Sequence, residues 1–278
     1  MEGQEIICNV CMHQCHLKEG QVGRCKARRN EKGVSRSINY GQITSLSLDP
    51  IEKKPLACFY PGSMILSVGS FGCNLNCPFC QNDSIAMAHK EEVETILVTP
   101  ENLAKEAYGL KSHGNIGLAF TYNEPLIGYE FVRDTAKLVH EYGMKNVVVT
   151  NGSLSTEAAS EILPYIDAYN IDLKGFTKEY YEKLGGNLEY VKNFIQLAAK
   201  HAHVEITTLI VPGENDTRDE IGELSKWLAS IDANIPLHLS RFFPRRYMRD
   251  KLPTEVELLH ELQREAKKYL NRVFLGNV

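Results

Sequence analysis

Six short apolar runs separated by segments of helix length set the strongest limit on how this chain folds. The runs occupy 64–69 (MILSVG), 116–122 (IGLAFTY), 146–152 (NVVVTNG), 168–174 (AYNIDLK), 204–212 (VEITTLIVP) and 236–243 (PLHLSRFF). Each is rich in β-branched or aromatic residues and lacks clean polar alternation, the pattern of strands buried on both faces of a parallel sheet. Helix-start signals fall among them: Thr99-Pro100-Glu101, Asn123-Glu124-Pro125, Ser155-Thr156-Glu157, Asn215-Asp216-Thr217 and Pro253-Thr254-Glu255. Residues 126–143 repeat apolar side chains at three- and four-residue steps, as an amphipathic helix does. Alternation of this kind implies right-handed β/α units. A closed eight-unit barrel takes about 250 residues, and 278 − 63 = 215 follow residue 63. The expected fold is α/β, an open, partial (β/α)6 TIM-like barrel over 64–278, with a doubly wound sheet as the competing architecture.

Residues 1–63 differ in character. They are rich in cysteine, charge and glycine, with a GQITSLSLDP stretch (41–50) suited to a hairpin, and read as a small cysteine-rich metal-binding module and linker. The whole chain, at 43% hydrophobic and 24% charged residues, is an ordinary globular composition, which excludes disorder and a disulfide-dense miniature scaffold. A net charge of −4 gives no general grip on nucleic acid, so nucleic acid is not an expected partner. The first residues lack a basic segment followed by an apolar stretch, and no apolar run nears the ~18 residues of a membrane span. A cytoplasmic location without membrane contact is expected, where thiols stay reduced and clustered cysteines point to metal or catalysis.

Seven of the eight cysteines fall in two groups. Cys73, Cys77 and Cys80 sit on the turn after the first barrel strand, spaced x3 and x2. Structural zinc wants four ligands, and so does an ordinary iron–sulfur cube. Three thiolates leave one iron open to a small molecule. Gly69 and Gly72 allow unusual backbone angles in this loop, and Pro78 stiffens the last step. Cys8, Cys11, Cys15 and Cys25, spaced 2, 3 and 9, suffice for a tetrahedral zinc site or a complete second [4Fe–4S] cluster, structural or electron-relaying. Cys58 stands alone and reads as a small core residue.

The Cys-x3-Cys-x-aromatic-Cys loop after a first strand resembles the radical S-adenosylmethionine (SAM) superfamily. Segments 49–56 (DPIEKKPL), 59–63 (FYPGS), 72–82 (GCNLNCPFCQN) and 120–125 (FTYNEP) are similar to its pyruvate formate-lyase activating enzyme-like group. So are 149–152 (VTNG), 170–176 (NIDLKGF), 206–216 (ITTLIVPGEND) and 236–244 (PLHLSRFFP), most of all to its AmmeMemoRadiSam branch. Relatives there often continue past the equivalent of Gly276-Asn277-Val278 into a short Cys-x-x-Cys tail, and no role for such a tail is expected of these 278 residues. Where those relatives often have histidine, this chain has Cys58.

The resemblance implies a [4Fe–4S] cluster on Cys73, Cys77 and Cys80 whose open iron takes SAM, and a one-electron donor such as flavodoxin or ferredoxin. It implies cofactor contacts at the C-terminal ends of the strands. Phe79 would lie against the adenine, Asn123 and Glu124 would meet the SAM amino group, and Asn151 would reach ribose or the methionine carboxylate. For Asn123 the ordinary alternative is helix capping, and for Asn151 capping of a turn. Asp172 and Lys174 share one strand face, and a lysine there suits a carboxylate. His238 corresponds to a position at the SAM carboxylate, against the common alternative of a hydrogen-bonded strand histidine.

The loop 244–251 carries Arg245, Arg246, Arg249 and Lys251. It reads either as a solvated loop or as a grip on an acidic peptide, phosphate or RNA. The function the resemblance implies is reductive cleavage of SAM to a 5′-deoxyadenosyl radical that takes hydrogen from a substrate, with a glycine of a partner glycyl-radical enzyme as the candidate. Radical modification of a small molecule, peptide or RNA, and a non-enzymatic metal-stapled scaffold, are the alternatives.

Overall fold

The computed structural model describes residues 4–278. Its main sheet has eight strands that neighbour one another in chain order. They are β1 (Ser45–Pro50), β2 (Met64–Gly69), β3 (Asn115–Phe120), β4 (Lys145–Thr150), β5 (Ala168–Asp172), β6 (His203–Ile210), β7 (Leu237–Arg241) and β8 (Val273–Gly276). From β2 to β8 every pairing is parallel, and β1 lies antiparallel to β2. Helices α1 (Pro100–Gly109), α2 (Tyr129–Glu141) and α3 (Thr156–Ser160) make the first three crossovers. Then follow α4 (Lys178–Lys183) with α5 (Leu188–Ala198), α6 (Arg218–Asp232) and α7 (Val256–Ala266). The two edge strands do not pair with each other, so the sheet is a partial barrel of six β/α units and a seventh parallel strand.

Two strands lie outside the six runs. β8 is only four residues long and is identified by its pairing with β7, from Leu237↔Val273 to Ser240↔Gly276. The stretch expected as a hairpin is split instead. Gln42–Ile43 pairs with Ile96–Leu97, while Ser45–Pro50 becomes edge strand β1. Residues 45–50 therefore belong to the barrel sheet rather than to the N-terminal module.

Alternate strand positions separate two cores. Leu66, Leu118, Val148 and Ile171 pack with the buried faces of the helices, such as Val132, Ala136 and Val139 of α2. Ile65, Ala119, Val147 and Ala168, an odd number of positions away and hence on the opposite face, form a second core with Ile51, Leu56 and Phe59. The segment after β1 thus fills part of the concave side. Buried Glu205 of β6 anchors it, accepting from the backbone N–H of Ala57 at 3.0 Å and of Cys58 at 2.8 Å.

Helix starts follow the expected chemistry in three places: Thr99, Ser155 and Thr217 accept from the N–H groups of Asn102, Ala158 and Glu220. Elsewhere they shift. Glu124, not Asn123, accepts from the Leu126 N–H and opens a 3-10 turn at Pro125–Gly128, after which α2 begins. Asn215 donates to the carbonyls of Lys174 and Leu209, and Thr254 donates to that of Ile210.

Two antiparallel ribbons, Ile6–Ile7 with His16–Leu17 and Arg28–Glu31 with Val34–Ser37, form the N-terminal module. Its anchor is Arg28, 3% exposed, whose guanidinium donates to both carboxylate oxygens of Glu130 on α2 at 2.7 and 2.9 Å and to the Ile127 carbonyl. Removing one member of a buried pair leaves the other charge uncompensated. Arg28→Ala is expected to cost about 3 kcal/mol, read as a lowered urea midpoint. An Arg28→Met/Glu130→Leu double variant is expected to recover much of that loss.

Candidate active site

The three-cysteine loop leaves β2 at Ser70, and neighbouring elements hold its main chain on both sides. The Asn123 carboxamide accepts from the Ser70 N–H at 3.0 Å and donates to the Phe71 and Gly72 carbonyls. Gly72 has φ +90, and a Cβ there would meet the Cys25 carbonyl oxygen at 2.6 Å. Only glycine fits both that backbone and that approach. Farther along, the Asn76 N–H donates to the Leu184 carbonyl. Arg246 donates to the Cys77 carbonyl at 2.7 Å and to Asn76 Oδ1 at 2.8 Å, and the Tyr247 N–H donates to the Pro78 carbonyl.

Between these clamps Cys73, Cys77 and Cys80 gather in one cluster with Leu75, Phe79, Tyr180 and Phe242. Burial pushes the Cys77 thiol up to about 11, against the pull of Lys174 and Arg246. Burial likewise raises Cys80, with the same two cations opposing. Lys174 donates to Asp172 Oδ2 at 2.7 Å. Desolvation would lower Lys174, but Asp172 and Cys77 hold it above the ordinary lysine range. Asp172, Lys174 and the cysteines therefore form one electrostatic unit.

Glu124 is fully enclosed. Its carboxylate accepts from Thr150 Oγ1 and the Asn151 N–H, both at 2.7 Å, and its own N–H donates to the Gly72 carbonyl. Burial raises it to about 7, against those hydrogen bonds. Asn151 caps the turn by accepting from the Ser153 N–H, and its Nδ2 donates to Asn74 Oδ1 at 2.8 Å and to Cys73 Sγ at 3.7 Å. Phe79 is buried in the core around the cysteines.

His238 lies level with Asp172 in the sheet, across Thr207. It is the second residue of β7, paired at 2.6 Å with Glu205 and stacked on Phe274. Glu205 also binds His203, so the His238 ring belongs to the anchor of the segment filling the concave side.

The N-terminal cysteines lie beside the loop. Cys8, Cys11 and Cys25 are buried and Cys15 is half-buried, and the Cys8 N–H donates to the Cys15 carbonyl. Burial pushes Cys11 up to about 12, and the neighbouring Cys25 and Cys8 add to it. Among the described residues none of the eight cysteines is in a disulfide, and no three His, Cys, Asp or Glu side chains converge on a single metal-ion position.

Three features escaped the sequence reading. Arg246 lies in the loop read as solvated or ligand-gripping, yet its side chain is 8% exposed and clamps the cysteine loop. Lys251 is likewise turned inward, onto the Pro212 carbonyl and Glu214. Tyr122 adopts φ +74, an uncommon backbone for a bulky residue. Its hydroxyl donates to Asp49 Oδ2 at 2.8 Å, beside Lys54 at 3.0 Å. Against the cost of burial, Lys54 and Tyr122 hold Asp49 well below the usual carboxylate range. The quoted segments containing Asp49, Lys54 and Tyr122 were the only signal for this triad.

With this geometry in view, the comparisons are consistent. Residues 67–228 match the family model described as the radical SAM superfamily. A Methanocaldococcus jannaschii protein, the uncharacterized MJ0808, is 37% identical over 100% of this chain and 83% of its own length. The putative glycyl-radical enzyme activating enzyme MJ1227 of the same organism is 27% identical over 79% of this chain and 91% of its own. A solved domain of a Bacteroides vulgatus pyruvate-formate lyase-activating enzyme superposes with a TM-score of 0.52 at 20% identity, covering 58% of this chain and 99% of that domain. The chain belongs to the radical SAM superfamily. It is related to the activases of glycyl-radical enzymes.

Two predictions follow from the loop's supports. Arg246→Ala removes two charge-assisted bonds and is expected to cost about 2–3 kcal/mol in urea unfolding. Arg246→Lys, which keeps the charge without the planar fork, should recover only part of it. For Glu124 the folded value of about 7 lies above the ordinary glutamate value of 4.5. Its contribution to stability is therefore greatest below pH 4.5 and is lost as pH rises toward 7. The stability difference between wild type and Glu124→Gln should change across that window by roughly 3 kcal/mol, measured by urea unfolding at stepped pH.

Proposed function

We propose that the chain reductively cleaves SAM and directs the resulting radical at a glycine of a partner glycyl-radical enzyme. Cys73, Cys77 and Cys80 would hold a [4Fe–4S] cluster. The observation that carries the reading is the thiol set itself: three free cysteines on one clamped loop at the C-terminal end of β2, with Lys174 and Arg246 close enough to oppose the effect of burial on Cys77 and Cys80. A set of three leaves a cube one ligand short, which fits a cluster that takes SAM. When bound, the cluster supplies one electron to the SAM sulfonium, releasing methionine and a 5′-deoxyadenosyl radical that takes a hydrogen atom from the substrate.

The chain's own residues orient and shield. Lys174, held by Asp172, offers an ammonium group to the SAM carboxylate. Asn123 and Arg246 fix the loop's carbonyls, so the three sulfurs keep their spacing. Glu124 fixes the ends of β3 and β4 beside that loop, and Asn151 donates to the Cys73 sulfur. Phe79 lines the loop toward the adenine side. A flavodoxin or ferredoxin would supply the electron, and the partner's glycine loop would be the protein substrate, as the activating-enzyme relatives suggest. With Arg246 and Lys251 turned inward, less of loop 244–251 is left for a nucleic acid.

Anaerobic reconstitution with iron and sulfide, then SAM and dithionite, should yield 5′-deoxyadenosine. Cys73→Ala, Cys77→Ala and Cys80→Ala should each abolish it, and unchanged output would falsify the cluster assignment. Adding candidate glycyl-radical partners should produce a protein-borne radical in electron paramagnetic resonance. SAM cleavage without that radical for any partner would retire the activase reading in favour of another substrate.

A further inference from the structure

We propose that the N-terminal module is the electron inlet: a second iron–sulfur cluster on Cys8, Cys11, Cys15 and Cys25 feeds the cluster on Cys73, Cys77 and Cys80 through Asn74. This rests on the radical SAM reading above and extends it to the route of the electron.

The carrying observation is the position of Asn74, which follows Cys73 in the chain. Its side-chain Nδ2 donates to the Ser153 carbonyl at 3.0 Å, next to Leu154, which bridges to Cys11. Its Oδ1 accepts from Asn151 Nδ2 at 2.8 Å, and that same nitrogen donates to Cys73 Sγ at 3.7 Å. Its backbone carbonyl accepts from His13 Nε2 at 2.7 Å, between Cys11 and Cys15. One buried residue, 4% exposed, therefore touches the surroundings of both cysteine sets.

The backbones also meet. The Cys25 carbonyl presses on Gly72, Cys11 bridges to Leu154, and the Ser155 N–H donates to the Val10 carbonyl. Arg28 and Glu130 fasten the module at a place separate from the Asn74 contacts. The half-buried Cys15 leaves the module an outer face from which a donor can reach it, while Cys11 is buried and bridges to Leu154.

The four thiols are close enough for Cys11 to feel Cys8 and Cys25. Four cysteines are the set a second cube takes. Beside the three-cysteine loop such a cube can pass an electron inward, which zinc, having no redox chemistry, cannot.

The transfer balances simply. A low-potential donor of flavodoxin or ferredoxin type gives one electron to the module cluster, which passes it inward and returns to its oxidised form. No covalent bond is made or broken.

The test is metal analysis with electron paramagnetic resonance on the reconstituted full chain. Wild type should hold about eight irons and, when reduced, show two signals, one of which changes on adding SAM. Cys11→Ser/Cys15→Ser should lose about half the iron. Its SAM-responsive signal should persist with dithionite and fail to develop with reduced flavodoxin. Asn74→Ala should keep both signals, while freeze-quench sampling shows flavodoxin-driven reduction of the SAM-responsive cluster slowed by an order of magnitude or more. About four irons with one zinc in wild type, or undiminished flavodoxin-driven reduction in either variant, overturns the relay. If the double variant also loses its dithionite-driven signal, Asn74→Ala decides on the same criterion. Absence of any SAM-responsive signal in wild type overturns the underlying cluster assignment instead.

Discussion

The grip of Asn123 on the backbone leaving β2 is the interaction on which the site depends. One carboxamide binds the N–H of Ser70 and the carbonyls of Phe71 and Gly72, fixing the direction in which the cysteine loop departs. The left-handed turn at Tyr122 delivers Asn123 to that place and is itself held by Asp49 and by Asn82, which donates to the Tyr122 carbonyl. Glu124, the next residue, closes the ends of β3 and β4. Three consecutive residues thus convert a strand end into a frame for thiols.

The same logic governs the charged interior. Arg28 with Glu130, Asp49 with Tyr122, and Glu205 with His238 and the N–H groups of Ala57 and Cys58 each join segments distant in the chain. Buried pairs of this kind add little net stability, but breaking one costs a great deal. Their effect is therefore on register and placement: the module on α2, Tyr122 on β1, and the segment after β1 on β6.

Much of this was legible in the sequence. The six apolar runs became β2 to β7 because a strand covered on both faces has little choice of composition. β1 was missed because an edge strand with exposed Leu46 alternates like a hairpin arm, and β8 because four residues carry no periodicity. The cysteines declared themselves through spacing, which their chemistry dictates. Asn123 as a loop clamp, Asn74 and Arg246 did not, because they bind backbone carbonyls, and any donor of suitable reach performs that task. His238 shows a further limit: register sets it level with Asp172 across Thr207, while its bond to Glu205 spans two strands and has no signal in either run alone.

The bridge between Cys11 and Leu154 has a consequence for how the protein is made. Those residues are 154 − 11 = 143 positions apart, and Glu130 lies 102 beyond Arg28. At about 5–20 residues per second, the ribosome finishes the module's docking surface roughly 7–30 s after its cysteines. During that interval four thiols wait on a nascent chain with nothing to lie against. The module's cysteines and the surface they lie against are therefore completed at different times, and oxygen has its opening on those thiols before the second half of the barrel exists.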